Sequence, residues 1–81
     1  MSIARLPTGQ FVAMREHLAR HYYPRYRDHV AYTELREAGQ AALVASMQGM
    51  DGNDPVAQTT AIYRHMRNAI VQYGQDVRRA R

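Results

Sequence analysis

From Val56 onward, apolar, aromatic and methyl-bearing side chains return in alternating steps of three and four: Val56, Thr59, Tyr63, Met66, Ile70, Tyr73 and Val77. Those steps mark one face of an α-helix, whereas a strand would alternate every second residue. Pro55 directly follows Asp54. Proline suits the first helical position, where its missing N–H has no partner to lose, and the aspartate before it can cap the free amides. The spacing therefore predicts a long helix over about 54–79, its seven-residue seam facing a core.

The rest of the chain reads the same way. Met50-Asp51-Gly52-Asn53-Asp54-Pro55 is a turn, with Gly49 or Gly52 able to close the helix before it. That helix is expected to start between Asp28 and Thr33 and run to Gln48 (about 29–48), with Leu35, Ala38, Ala42, Leu43, Ala45 and Met47 inward. Gly39, Ala42, Ser46 and Gly49 fall at helical spacing and form a smooth face for close approach. Gly39 weakens the helix by about 1 kcal/mol relative to alanine, which asks for a packing reason. A first helix is expected over about 8–23, from Thr8 to Tyr23, with Phe11, Met14, Leu18 and Tyr22 as its stripe. Pro24 should end or kink it. The expected core comprises Phe11, Leu18, Leu35, Leu43, Tyr63, Met66, Ile70 and Tyr73. The fold class that follows is all-α: one domain over 1–81, a small three-helix bundle with the third helix longest and most regular. The structural alternative pairs the third helix with its copy in a second subunit.

At 81 residues such a bundle buries only about 60% of its unfolded surface. Its core supplies no more than roughly 3–5 kcal/mol, so docking on a partner or self-association is expected to supplement it. The absence of cysteine excludes disulfides, thiolate zinc sites and a cysteine nucleophile, and points to a reducing compartment, the cytoplasm. Met1–Pro7 carries no apolar run suited to a signal peptide, and no stretch approaches the ~20 apolar residues that span a bilayer.

Eleven arginines, no lysine and six tyrosines carry the functional signal. They concentrate in Arg20-His21-Tyr22-Tyr23-Pro24-Arg25-Tyr26-Arg27-Asp28-His29-Val30-Ala31-Tyr32. Guanidinium grips carboxylate or phosphate and stacks on aromatic rings, while tyrosine offers rigid contact area. The net charge of +4 and isoelectric point near 10 favour anionic partners. A genomic bias toward arginine accounts for the missing lysine but not for the interleaving with tyrosine. Arg64, Arg67 and Arg78 share one flank of the third helix around Val71, as either a solvated face or a binding surface.

Other motifs weigh less. His17 and His21 stand four apart, the spacing for a shared metal, with His29 the nearest third ligand. Two partly buried imidazoles bonded to neighbours are the ordinary outcome. Arg15 and His21 match the arginine-x5-histidine spacing of HEPN ribonucleases, which this composition produces about once or twice by chance. Asp51-Gly52-Asn53-Asp54 starts like a calcium loop, yet Val56 replaces its glycine and Ile62 its glutamate. No enzyme activity, cofactor or metal is expected. The expected function is that of a non-enzymatic helical binding protein: an adaptor, inhibitor or phage-type regulator of host machinery. It docks on a protein through Arg20, Tyr23, Arg25, Tyr26 and Arg27, with Arg64 and Arg67 as an extension. The alternative is a nucleic-acid binder using arginine on phosphates. Against it, the connection Gly49–Asp54 is longer than a helix-turn-helix turn, and the third helix has few exposed amides to read bases.

Overall fold

Three helices form where the sequence punctuates them, and the computed structural model describes residues 8–48 and 55–80. They are α1 (Thr8–Tyr26), α2 (Tyr32–Gln48) and α3 (Pro55–Ala80), with no strand among the described residues. The chain is an all-α three-helix bundle. The expected turn over 50–55, with Gly49, Gly52 and Asp54, lies outside the described residues up to Pro55.

Contacts fix the topology. Gln10 of α1 lies beside Val56 and Thr59 at the start of α3, and Tyr26 packs on Gly74 near its end, so these two helices run in parallel. Arg15 reaches Gln40 and Tyr23 meets Tyr32, which sets α2 antiparallel to α1. At 1.5 Å per residue the 26-residue α3 is about 39 Å long and accounts for most of the 43 Å longest dimension.

Of the two outcomes expected at Pro24, an end or a kink, the end does not occur: α1 continues to Tyr26. An interior proline costs about 3 kcal/mol, and what offsets it is the next turn. The Tyr26 side chain is fully buried; removing roughly 150–250 Å² of aromatic surface from water is worth about 4–6 kcal/mol, less about 1–3 kcal/mol for its hydroxyl, which is buried without a hydrogen-bond partner among the described residues. The Tyr26 carbonyl then accepts from both His29 N–H and Val30 N–H at 2.9 Å, closing the helix. α2 begins at Tyr32, inside the expected window. Ala31 occupies the cap position without a side-chain acceptor, and its N–H donates to the Glu34 carboxylate at 3.0 Å, half of a capping box. Val30 and Leu35 flank this start at the two positions of a hydrophobic staple, and both are buried.

Phe11, Leu18, Leu35, Leu43, Met66 and Ile70 are buried as expected. Two expected core tyrosines are not: Tyr63 is 38% exposed and Tyr73 only half-buried. In α3 the buried positions are Gln58, Ile62, Met66, Ile70 and Gly74, one every four residues. The three-four seam is thereby corrected. A step of four turns the helix 40° past a full revolution, so the buried path is the inclined i±4 ridge that fits a neighbour's groove. Tyr63 and the 74%-exposed Val56 fall beside this path. In α2, Ala45 is exposed, while Ala38, Ala42 and Met47 are half-buried. Gly39 has the packing role its spacing suggested: a Cβ there would stand 3.0 Å from Ile70 Cδ1 and 3.2 Å from Arg15 Cγ.

Candidate functional site

Beside the buried ridge of α3, Thr60, Tyr63, Arg64 and Arg67 recur at helical spacing and share a face. With Tyr22 of α1 they line a cleft of about 420 Å³. The inclination of the ridge leaves this face beside α1 without burying it. Arg25, one turn beyond Tyr22, lays its guanidinium 5.6 Å from the Tyr22 ring centre, in cation–π range. His21 meets the same ring edge-on at 4.8 Å and itself stacks on His17 at 6.2 Å. Every polar side chain of the cleft lining is a hydroxyl or a guanidinium. Among the described residues none of Arg25, Arg64 and Arg67 is ion-paired with a carboxylate; Arg67 donates to the Asn68 side-chain oxygen at 3.3 Å. Guanidiniums beside aromatic rings are groups able to hold an anion.

A second opening of about 300 Å³ adjoins it, lined by Gln10, Val56, Thr59 and Thr60. Thr60 lines both, so the two openings adjoin along α3 between Val56 and Arg67.

The opposite side of α1 is occupied differently. Arg15 donates to Gln40 Oε1 at 2.5 Å and to Glu16 Oε2 at 2.6 Å, the Tyr32 hydroxyl donates to Glu16 Oε1, and Arg36 lies 3.9 Å from the same carboxylate. The Tyr32 hydrogen bond and the Arg15 guanidinium hold the Glu16 carboxyl below the ordinary glutamate range. In return, the bond to Glu16 and burial push the Tyr32 phenol up. Here arginine charge is answered within the fold, and Tyr23 packs edge-on against Tyr32 at 6.0 Å.

The arginine–tyrosine run is thus divided among four environments. Arg25 lies on the Tyr22 ring, at the edge of the cleft that Arg64 and Arg67 line. Arg20 lies on the α2 side, beside Tyr32, together with Tyr23. Arg27 is exposed in the turn after α1 and does not line the cleft. Tyr26, expected on the binding surface, is instead in the core, and this corrects that assignment. Its ring lies against Gly74, where a Cβ would come within 2.5–2.7 Å of three ring atoms, and Arg78 covers it at 5.2 Å. The glycine opens the space that the ring fills. Arg78 is thereby engaged with Tyr26 instead of extending the Arg64–Arg67 surface.

The site residues that the sequence reading missed are Tyr22, Thr60 and Tyr63. Both tyrosines sat in apolar stripes; Tyr63 read as core, which the phase of the α3 ridge overturns, while Tyr22 is half-buried against the core and still lines the cleft. His17 and His21 are exposed, contrary to the expectation of partial burial. Among the described residues no group of three His, Cys, Asp or Glu side chains is placed to hold a metal. Arg15 and His21 face different partners, Gln40 and Glu16 for one, Tyr22 for the other. Asp51–Asp54 lies outside the described residues. No helix among the described residues is long and apolar enough to cross a membrane. Comparison of the chain with protein-family models, curated proteins and solved structures finds no match.

Proposed function

We propose that this chain is a non-enzymatic binding protein that docks on a larger protein through the cleft between α1 and α3, as an adaptor, inhibitor or phage-type regulator of host machinery does. The observation that carries the reading is the lining of the cleft: two tyrosines, a threonine and two arginines, with Arg25 stacked at the rim and no carboxylate among them. Tyrosine and arginine are the side chains that most often dominate protein–protein binding energy. Guanidiniums left without internal ion pairs are free to meet a partner's carboxylates. Neither an imidazole nor a carboxylate lines the cleft to move a proton, which supports binding over catalysis. The absence of cysteine supports a reducing setting, the cytoplasm. Self-association is the further expectation from so small a core, read out as a melting temperature that rises with protein concentration.

The test is capture from lysate with and without nuclease at two salt concentrations. A protein partner is retained after nuclease, with one tyrosine or arginine of the cleft costing about 2 kcal/mol or more on truncation to alanine. Loss of all bound material on nuclease treatment, with affinity falling steeply in salt, would instead assign the arginines to nucleic-acid phosphates.

A further inference from the structure

The two openings that meet at Thr60 differ in chemistry along one line. At the start of α3 the wall is Gln10, Thr59 and the exposed methyls of Val56; further along it is Tyr22, Tyr63, Arg64 and Arg67. We infer that this groove takes an acidic amphipathic helix of the partner, laid between α1 and α3 as a fourth helix. Its carboxylates meet Arg64, Arg67 and Arg25, and an apolar side chain rests at Val56. The inference depends on the docking reading above and adds what docks.

Three observations favour that occupant. The cationic end is unanswered by carboxylate among the described residues, so charge complementarity calls for acid there. From Val56 to Arg67 the groove follows α3 for about 16 Å at 1.5 Å per residue, or three turns of a docked helix. Beyond their first turns both walls are helix interior, where backbone groups bond within their own helices. An extended segment laid along that stretch would find no sheet edge to pair its N–H and C=O groups, whereas a helix satisfies its own. A nucleic-acid strand would use the arginines and leave the Val56 end unfilled.

The experiment titrates the isotope-labelled protein with three probes and follows backbone amide shifts and affinity. The first is a cross-linked peptide of about four helical turns with a leucine face flanked by glutamates; the second has the same composition broken by central prolines; the third is a single-stranded oligonucleotide. The helical peptide is expected to move amides at Gln10, Tyr22, Thr60, Tyr63, Arg64 and Arg67. Its affinity should fall about tenfold or more in Arg64→Gln/Arg67→Gln and several-fold in Val56→Ser, which keeps the charge. All three positions are exposed, so the fold survives these changes. Equal binding of the proline-broken peptide, shifts centred on Tyr23 and Tyr32, or an unchanged affinity in Val56→Ser would each overturn the inference. So would tighter binding of the oligonucleotide, or groove shifts that appear on raising protein concentration alone, which place a second copy there. If the peptide fails to bind while nuclease-resistant capture still depends on Arg64 and Arg67, docking stands and the helical occupant does not. If capture itself is lost on nuclease treatment, the docking reading fails with it.

Discussion

A missing Cβ decides where Tyr26 goes. Gly74 lies in the interior of α3, where glycine costs about 1 kcal/mol of helix propensity relative to alanine, yet the ring of Tyr26 occupies the space a methyl would need. Gly74→Ala should therefore destabilise the protein by about 1–3 kcal/mol in urea denaturation, against its propensity gain. A more stable variant would mean that the ring is not held there. Neighbouring tyrosines show how little of this was legible. Tyr22, Tyr23 and Tyr26 are the same residue type within one short run; only the partner on another helix separates cleft wall, α2 contact and core. The Tyr32–Glu16 hydrogen bond makes a second residue-scale claim. Glu16 is held below its ordinary value, so its stabilising contribution is present above about pH 4.3 and lost as pH falls through the folded value. Tyr32 is pushed up, so its contribution is present below about pH 10 and lost as pH rises through its folded value. Tyr32→Phe should shrink both arms of a stability–pH profile; superimposable profiles would contradict the bond.

Helices are where sequence and structure agree most. Pro55 and the helical spacing placed α3 within a residue, and α2 begins inside its 28–33 window, three residues after 29, because those signals act locally. What the spacing could not supply was the phase of the α3 face. Ile62 and Tyr63 are adjacent and both apolar enough for a core, and the three-four pattern selected Tyr63. Packing on α1 and α2 along an i±4 ridge selects Ile62. The pair gives a direct comparison: Ile62→Ala should cost about 2–5 kcal/mol, while Tyr63→Ala should stay within about 1 kcal/mol. Reversed magnitudes in chemical denaturation would restore the heptad seam and remove Tyr63 from the cleft. The end of α1 was misjudged for a related reason. Proline is a local signal, and the burial of Tyr26 and Val30 outweighs it.

For the molecule as a whole, the parallel course of α1 and α3 creates the groove proposed to bind, and the sequence separates its two walls by the whole of α2. Arg64 and Arg67 were legible as a flank of α3 and Arg25 as part of a basic cluster; their convergence through Tyr22 required the fold. A net charge of +4 would by itself attract anionic material to any face, so charge and place must be told apart. Two variants matched in charge do this: Arg64→Gln/Arg67→Gln, in the cleft, and Arg20→Gln/Arg27→Gln, outside its lining. Each removes two positive charges from exposed positions. The decisive measurement is capture of a nuclease-resistant protein partner by each variant at the same salt concentration. The cleft variant should lose about tenfold or more in retention, a change of about 1.4 kcal/mol, while the other stays near wild type. Equal losses in both would show that the arginines act only as diffuse charge and would contradict a binding site between α1 and α3.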